Sequence, residues 1–240
     1  MYKKNKIAVS IPAYNEEKHI KKTLETIPSY VDLIVVVDDK SLDKTAHIIL
    51  KCIKKDKRIH LLVSEKNQGL GGTVVMAHTY ASKKNADIVV VMAGDDQMDP
   101  KYLPLLLDAT IEDKVDYAKG NRFFHLQDLK KMPPFRIIGN IFLSLVSKIC
   151  TGYWSVSDPI NGYTALRVKT FKKIDPSQIG SRFGFEPSML VELAILKAKV
   201  KDVFIPARYG DEKSKVNLLL DPLKVLQVFA KGLVRRILSG

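Results

Sequence analysis

The sequence predicts an α/β fold: a mostly parallel central sheet flanked by helices. Three observations lead there. Short β-branched runs alternate with segments of helical spacing through the first half of the chain, the signature of βαβ units whose sheet is buried on both faces. Each run gives way, at the same edge of the sheet, to polar, acidic or glycine-rich residues. The chain has 240 residues, 46% hydrophobic and 27% charged. It can therefore build a full core without staples, and disorder and collagen-like structure are excluded.

Strands are predicted over residues 7–11, 33–37, 59–63 and 88–92, with helical segments at 16–27, 41–53 and 70–83 between them. In the first of these helices Ile20, Leu24 and Ile27 fall at i, i+4 and i+7, with Lys18, Lys21 and Lys22 on the other face. No repeat, Ser/Gly linker or low-complexity tract interrupts the alternation, so no domain boundary falls before residue 120. The second half is less regular. A short strand is predicted at 117–119, and Lys131-Met132-Pro133-Pro134 stops one element and starts a helix over 136–150. A strand at 163–168, a helix at 187–197, a strand at 201–205 and a final amphipathic helix from about 221 follow. The organisation read from this is a domain over 1–215 and a terminal amphipathic helix over 216–240. That helix ends in mid-pattern, which predicts either a chain stopping on it or a sequence that continues.

Charge and cysteine content narrow the function classes. Thirty-nine Lys+Arg against 26 Asp+Glu give +13, which points to a polyanionic partner: nucleic acid, an acidic membrane face or phosphorylated ligands. No nucleic-acid-reading motif is present and the basic residues are spread over many helices, so nucleic acid is not expected. Two cysteines far apart, Cys52 and Cys150, exclude a disulfide framework and suggest a reducing compartment. The apolar run behind the basic N-terminus is too short for a signal peptide, and no window reaches about 18 uninterrupted apolar residues.

In an open parallel sheet, ligands bind beyond the carboxyl ends of the strands. There the sequence places Pro12-Ala13-Tyr14-Asn15-Glu16-Glu17, Asp38-Asp39-Lys40-Ser41-Leu42-Asp43-Lys44-Thr45, Asn67-Gln68-Gly69-Leu70-Gly71-Gly72 and Ala93-Gly94-Asp95-Asp96-Gln97-Met98-Asp99-Pro100. One acidic turn would be an ordinary helix cap, as Ser41 and Asp99 are expected to be; four at one edge make a site. The glycine cluster is not a dinucleotide fingerprint. Val74 stands where the third glycine belongs, the cluster follows the third strand, and the first turn has no glycine.

These four loops, in this order and spacing, resemble glycosyltransferase family 2, and within it the branch of dolichyl-phosphate mannose synthase and other polyprenyl-phosphate glycosyltransferases. Lys119-Gly120-Asn121-Arg122, Ser157-Asp158-Pro159-x-Asn161-Gly162-Tyr163, Phe183-Gly184-Phe185 and Ser214-Lys215 extend the likeness over nearly the whole chain. The resemblance implies a GT-A fold with a Rossmann-like sheet, a nucleotide-binding half over about 1–100 and an acceptor half over 101–215. It implies a nucleotide-diphosphate sugar as donor. Pro12, Tyr14 and Glu16 would frame the base, and Asp39 would bond the base or ribose. The loop from Asn67 through Gly69 to Gly71 would let the chain approach the nucleotide, and Lys215 would lie near the diphosphate. Asp95 and Gln97 present oxygens on one side of an extended segment to a hard cation, Mg²⁺ or Mn²⁺. Where the family has Asp-x-Asp this chain has Ala93-Gly94-Asp95. That leaves either weaker metal binding or a substitute carboxylate from Asp96 or Asp99.

For the acceptor, the resemblance implies that Arg122 and Arg136 hold a phosphate, with Arg208 one residue displaced from the family's third arginine. A guanidinium fork suits phosphate better than lysine does. Basic amphipathic helices at 136–150 and from 221 read as lying in an anionic membrane interface. The expected reaction is an inverting transfer to a polyprenyl phosphate at the cytoplasmic face of a membrane, by a peripheral protein or the catalytic domain of an anchored one. Asp95, Arg122 and Asp158 are the catalytic candidates. A transferase acting on a sugar hydroxyl, with Asp158 as base, is the alternative; a nucleotidyltransferase would need a Gly/Arg-rich first loop, which is absent.

Overall fold

The computed structural model describes residues 1–123, 134–206 and 220–239, with the side chains of 134–136, 183, 220, 221 and 239 outside that description. Among the described residues seven strands form one sheet: β1 (Ile7–Ala13), β2 (Leu33–Asp38), β3 (Ile59–Val63), β4 (Ile88–Val91), β5 (Tyr117–Asn121), β6 (Thr164–Arg167) and β7 (Val200–Phe204). Their order is β3-β2-β1-β4-β6-β5-β7. β6 runs antiparallel to both its neighbours, β4 and β5. The pairs β1–β2, β1–β4, β2–β3 and β5–β7 are parallel.

Side chains alternate across the pleat and build a core on each face of the sheet. Ile7, Val9, Ile11, Ile34, Val36, Ile88 and Val90 meet Ile20 and Leu24 of α1 (Ile20–Glu25), Ile49 of α2 (Thr45–Lys55) and Leu103, Leu106 and Leu107 of α4 (Leu103–Ile111). The interleaved Ala8, Val35, Val37, Val89 and Val91 meet Val74, Ala77 and Ala81 of α3 (Gly69–Lys83) and Phe185, Met189, Leu190 and Leu193 from the helix Phe185–Ile195. Burying each Val, Leu, Ile, Phe or Met side chain among these contributes about 1.5–3 kcal/mol, which ties the sheet edge to a rigid base.

Two further helices complete the second half: α5 (Pro134–Thr151), then, after the short α6 (Val168–Phe171) and the Phe185–Ile195 helix (α7), α8 (Leu220–Ser239). α8 packs between α5 and α7, with Val225 and Phe229 against Leu143, Cys150 and Val191. Gly232 lets it lie directly on Val191, whose methyl carbons would stand 2.4 and 2.6 Å from an added Cβ. No helix among the described residues is long and apolar enough to cross a membrane.

The sequence pattern places most elements within two or three residues, with two informative differences. α1 starts at Ile20 rather than 16: residues 16–19 form a turn whose Glu16 carbonyl accepts from the His19 and Ile20 N–H groups, while the N–H groups of Asn15, Glu16 and Glu17 donate to Ser41, Thr45 and Asp43 of the next loop. α4 was not anticipated: its sequence, LPLLLDATI, is apolar nearly all round, so no period stands out.

Candidate active site

The loops beyond β1 to β4 are stitched together in sequence order. The β1 loop is bonded to the β2 loop by Asn15 N–H to Ser41 Oγ (3.0 Å), Leu42 N–H to Asn15 Oδ1 (2.8 Å) and Glu16 N–H to Thr45 Oγ1 (2.8 Å). Asn15 adopts φ +57° to allow this. Asp38 is buried and accepts from the Ser41 hydroxyl. So Ser41 braces the loop rather than capping α2; Asp43 takes the N–H of Thr45 instead (2.9 Å). The β2 loop is bonded to the β3 loop by Asp39, whose two oxygens accept from the N–H groups of Gln68 (2.7 Å) and Gly69 (2.8 Å). Asn67 Nδ2 donates to the Asp39 carbonyl at 3.3 Å. Asp39 thus satisfies the otherwise orphaned N–H groups at the start of α3.

The β4 loop closes onto the same cluster. A Cβ on Gly94 would lie 3.2 Å from the Pro12 carbonyl oxygen and 3.5 Å from Glu16 Cγ, and Thr23 Oγ1 donates to the Gly94 carbonyl (3.1 Å). Pro12 at the end of β1 and Tyr14, Glu16, Asp39, Asn67, Gly69 and Asp95 from the four loops therefore lie on connected segments, and Tyr14 is exposed. Asp95 is half-buried and accepts from Gln97 N–H at 3.0 Å; Gln97 is exposed. The two substitutes for the missing carboxylate are engaged elsewhere. Asp96 pairs with Lys22 (2.5 Å), and Asp99 caps the turn at Pro100 by accepting from Lys101 N–H (3.0 Å), with Lys101 Nζ at 3.3 Å. Among the described residues no three His, Cys, Asp or Glu side chains are grouped to hold a metal. The oxygen donors present do fit a hard cation that takes one carboxylate and completes its shell with water and substrate phosphate.

The glycines of α3 serve a different approach from the one their motif suggests. A Cβ on Gly71 would stand 1.9 Å from the Gly180 carbonyl oxygen, and one on Gly69 would stand 2.7 Å from Arg182 Cγ. What passes close to this turn is the chain's own segment 180–182, which leads into α7.

Beyond β5, Arg122 grips Asp158 with a fork, Nε to Oδ2 at 2.7 Å and an Nη to Oδ1 at 3.0 Å. Asp158 is 0% exposed, while the Arg122 side chain is 31% exposed. Behind them lies a polar cluster on the sheet. Lys119, fully buried, donates to the Asn161 carbonyl. Asp202 accepts from Asn121 Nδ2 (2.6 Å) and Ser157 N–H (2.7 Å). Glu186 sits in the first turn of α7, 7% exposed. Burial pushes the Glu186 carboxyl up to about 7 and that of Asp202 up to about 6, and pushes the Lys119 ammonium down.

A family model described as glycosyl transferase family 2 matches residues 8–175. The chain belongs to this family. It is 28% identical to the UDP-N-acetylglucosamine–dolichyl-phosphate N-acetylglucosaminyltransferase of Methanococcus voltae, over 85% of this chain and 86% of that protein. It is likewise 28% identical to an undecaprenyl-phosphate mannosyltransferase of Micrococcus luteus, over 87% of each. Among solved structures, glucosyl-3-phosphoglycerate synthase from Mycobacterium tuberculosis, crystallised with Mn²⁺, UDP and phosphoglyceric acid, superposes with a TM-score of 0.74. It covers 96% of this chain and 79% of the other at 17% identity, a likeness of GT-A fold. The chain is thus a family 2 glycosyltransferase of GT-A fold.

Of this glycosyltransferase's sequence-assigned residues, Arg208 and Lys215 lie outside the described residues, and Arg136 is described only as backbone in the first turn of α5. The sequence pattern assigns no role to Lys119, which it places only in a motif, nor to Glu186 and Asp202. A signal for the first two was present: each is a charged residue inside an element otherwise buried, YAKGN and FEPSMLVELA, and such charges are rarely placed there without a partner or a task.

Proposed function

We propose that this glycosyltransferase moves a sugar, with inversion, from a nucleotide-diphosphate sugar to a polyprenyl phosphate at the cytoplasmic surface of a membrane. The observation that carries the reading is the condition of Asp158. A hydroxyl acceptor needs a carboxylate within reach of its proton. Asp158 has no exposed surface, and both its oxygens accept from Arg122. A phosphate monoester, with a second pKa of about 6, arrives largely ionised and needs no base. It needs cations and alignment, and Asp158 orients a guanidinium at the sheet edge that would supply both. Arg136, Arg208 and Lys215 are proposed to add charge toward the acceptor phosphate and donor diphosphate.

On the donor side, Tyr14, Pro12 and Glu16 would frame the base above the loop braced by Asp39. Asp95 and Gln97 would hold Mg²⁺ or Mn²⁺. When bound, that cation neutralises charge on the departing diphosphate.

The membrane surface is supported by α5, which is built inside out. Leu143 and Cys150 share its buried face with Ser144, Ser147 and Thr151, whereas Ile138, Ile141, Phe142, Leu145 and Ile149 face outward, with Trp154 exposed just beyond. An exposed stripe of this size marks an interaction surface, and the names of both relatives carry a lipid phosphate. Arg235 and Arg236 contribute less to this face than the pattern of α8 suggests. They bond Glu192 (2.5 Å) and the Cys150 carbonyl (3.0 Å).

The test is transfer of radiolabel from UDP- and GDP-linked sugars, with Mn²⁺, to polyprenyl phosphate in vesicles. Label should move to the organic phase, and Asp158→Asn should retain measurable turnover at saturating donor. A folded Asp158→Asn protein with no turnover would instead assign a hydroxyl acceptor.

A further inference from the structure

Five acids lie in the buried set: Asp38, Asp39, Asp158, Glu186 and Glu192. Four have donors. Asp38 accepts from Ser41, Asp39 from the Gln68 and Gly69 amides, Asp158 from Arg122 and Glu192 from Arg235. Among the described residues Glu186 accepts from no group but its own backbone N–H; Lys119, Arg122 and Asp158 act on it only through charge. A glutamate in a helix's first turn ordinarily sits in water and favours the helix dipole. Glu186 is 7% exposed, so that service does not account for it, and a carboxyl buried without a side-chain donor is costly.

Its surroundings say what is missing. A Cβ on Gly162 would stand 3.2 Å from Glu186 Oε1 and 3.5 Å from Met98 Cε. Met98 in turn packs under the β4 loop, where its sulfur accepts from Ala93 N–H at 3.2 Å. Glu186 therefore faces the seam between two walls of the site: the 93–98 loop that carries Asp95, and the 158–162 loop that carries Asp158. Gly162 keeps that seam open. A carboxylate repels a diphosphate and an acceptor phosphate alike, and it has nothing to offer a prenyl chain. The part of the reactants that is uncharged and rich in O–H donors is the sugar.

We propose that Glu186 is a specificity-determining ligand of the donor sugar, accepting hydrogen bonds from its hydroxyls at the floor of the site; this rests on the nucleotide-sugar reading above. Lys119, beside Glu186 in charge and bonded to Asn161 next to Gly162, offsets only part of the burial that raises the Glu186 carboxyl; the group accepts hydrogen bonds through its oxygens in either form. Losing such bonds at a buried site is worth about ten- to a hundredfold in affinity.

The experiment is calorimetric titration, with Mn²⁺ present, of the wild type, Glu186→Gln and Glu186→Ala. The titrants are UDP and GDP, and then UDP-glucose, UDP-N-acetylglucosamine and GDP-mannose. Affinity for the free nucleotide should stay within about twofold in both variants. Affinity for the preferred nucleotide sugar should fall about ten- to a hundredfold in Glu186→Ala, and by less in the isosteric Glu186→Gln, which keeps one acceptor. Equal losses for nucleotide and nucleotide sugar, or no loss for the sugar, overturn the assignment. A folded wild type that binds nucleotides but none of the nucleotide sugars overturns the donor reading itself, a distinct result.

Discussion

Removing Arg122 and removing Asp158 should have unequal consequences, although the two side chains share one interaction. Arg122→Met leaves a carboxylate at a position with no exposure and takes away both side-chain hydrogen bonds to its oxygens, leaving only the longer bond from the backbone N–H of residue 122 (3.3 Å). Breaking a buried pair from that side costs about 3–5 kcal/mol. For a chain of this length that lowers the melting temperature by roughly 6–20 °C. Asp158→Asn instead leaves the charge on a guanidinium with 31% of its side chain exposed. Water can solvate it, and the cost should be nearer 1–2 kcal/mol. The double variant Arg122→Met with Asp158→Asn should recover at least half of the Arg122→Met loss, because no unpaired charge is left at position 158. Thermal denaturation of the four proteins in one buffer gives the cycle. Single variants equal within about 0.5 kcal/mol, or a coupling energy near zero, would refute the placing of Asp158 as a buried anion held by Arg122.

Gly71→Ala should be among the most destabilising glycine replacements, since its Cβ would meet the Gly180 carbonyl at 1.9 Å. Gly139→Ala in α5 meets nothing within 4 Å and should stabilise by about 0.5–1 kcal/mol; paired melting curves check both. Replacing Ile141, Phe142 and Leu145 together by serine should leave the melt within about 1 kcal/mol yet weaken binding to anionic vesicles by roughly a hundredfold, at about 1 kcal/mol per half-exposed side chain. A change in sedimentation in place of vesicle binding would assign that face to a second copy. Stability should fall on acidification through His78. Its ring nitrogens are buried without partners, and burial lowers its pKa from 6.5 to about 3. Between those values the unfolded chain binds more protons, so stability present above pH 6.5 is lost as pH falls, by roughly 3 kcal/mol at pH 4. His78→Leu should flatten that limb in denaturant titrations at stepped pH.

The fold was legible because its cause is local. Short β-branched runs bounded by polar turns declare buried strands whatever surrounds them, and the helices at 41–53 and 70–83 were found to within a few residues. α4 escaped because nothing in Leu103–Ile111 marks an inside from an outside. The antiparallel direction of β6 escaped because direction depends on the path of the chain before the strand, and that path leaves no periodicity. The site was legible as a set of loops and less so as a set of contacts. Asp39 and the α3 glycines were recognisable by motif. Yet the sequence gives no hint that Asp39 holds two backbone N–H groups of the next loop, or that Gly71 makes room for Gly180. Those partners lie 29 residues or more along the chain, and only the folded sheet brings them together.

A common principle links the contacts that the motifs did not reveal. This chain uses most of its buried acids as architecture. Asp38 and Asp39 hold loops, Asp158 aims an arginine and Glu192 anchors α8 through Arg235. Each carboxylate is surrounded by donors supplied by the protein, so each is satisfied before any substrate arrives. A group of that kind can position a substrate but has little left to exchange with it. The residues proposed to meet ligands are less engaged by the protein: Tyr14 and Gln97 are exposed, and Glu186 lies beside Gly162 with no side-chain donor among the described residues. The same division underlies the acceptor chemistry proposed above. With Asp158 bonded to Arg122 and without exposed surface, that position offers no free base, and a phosphate that is already ionised would need none.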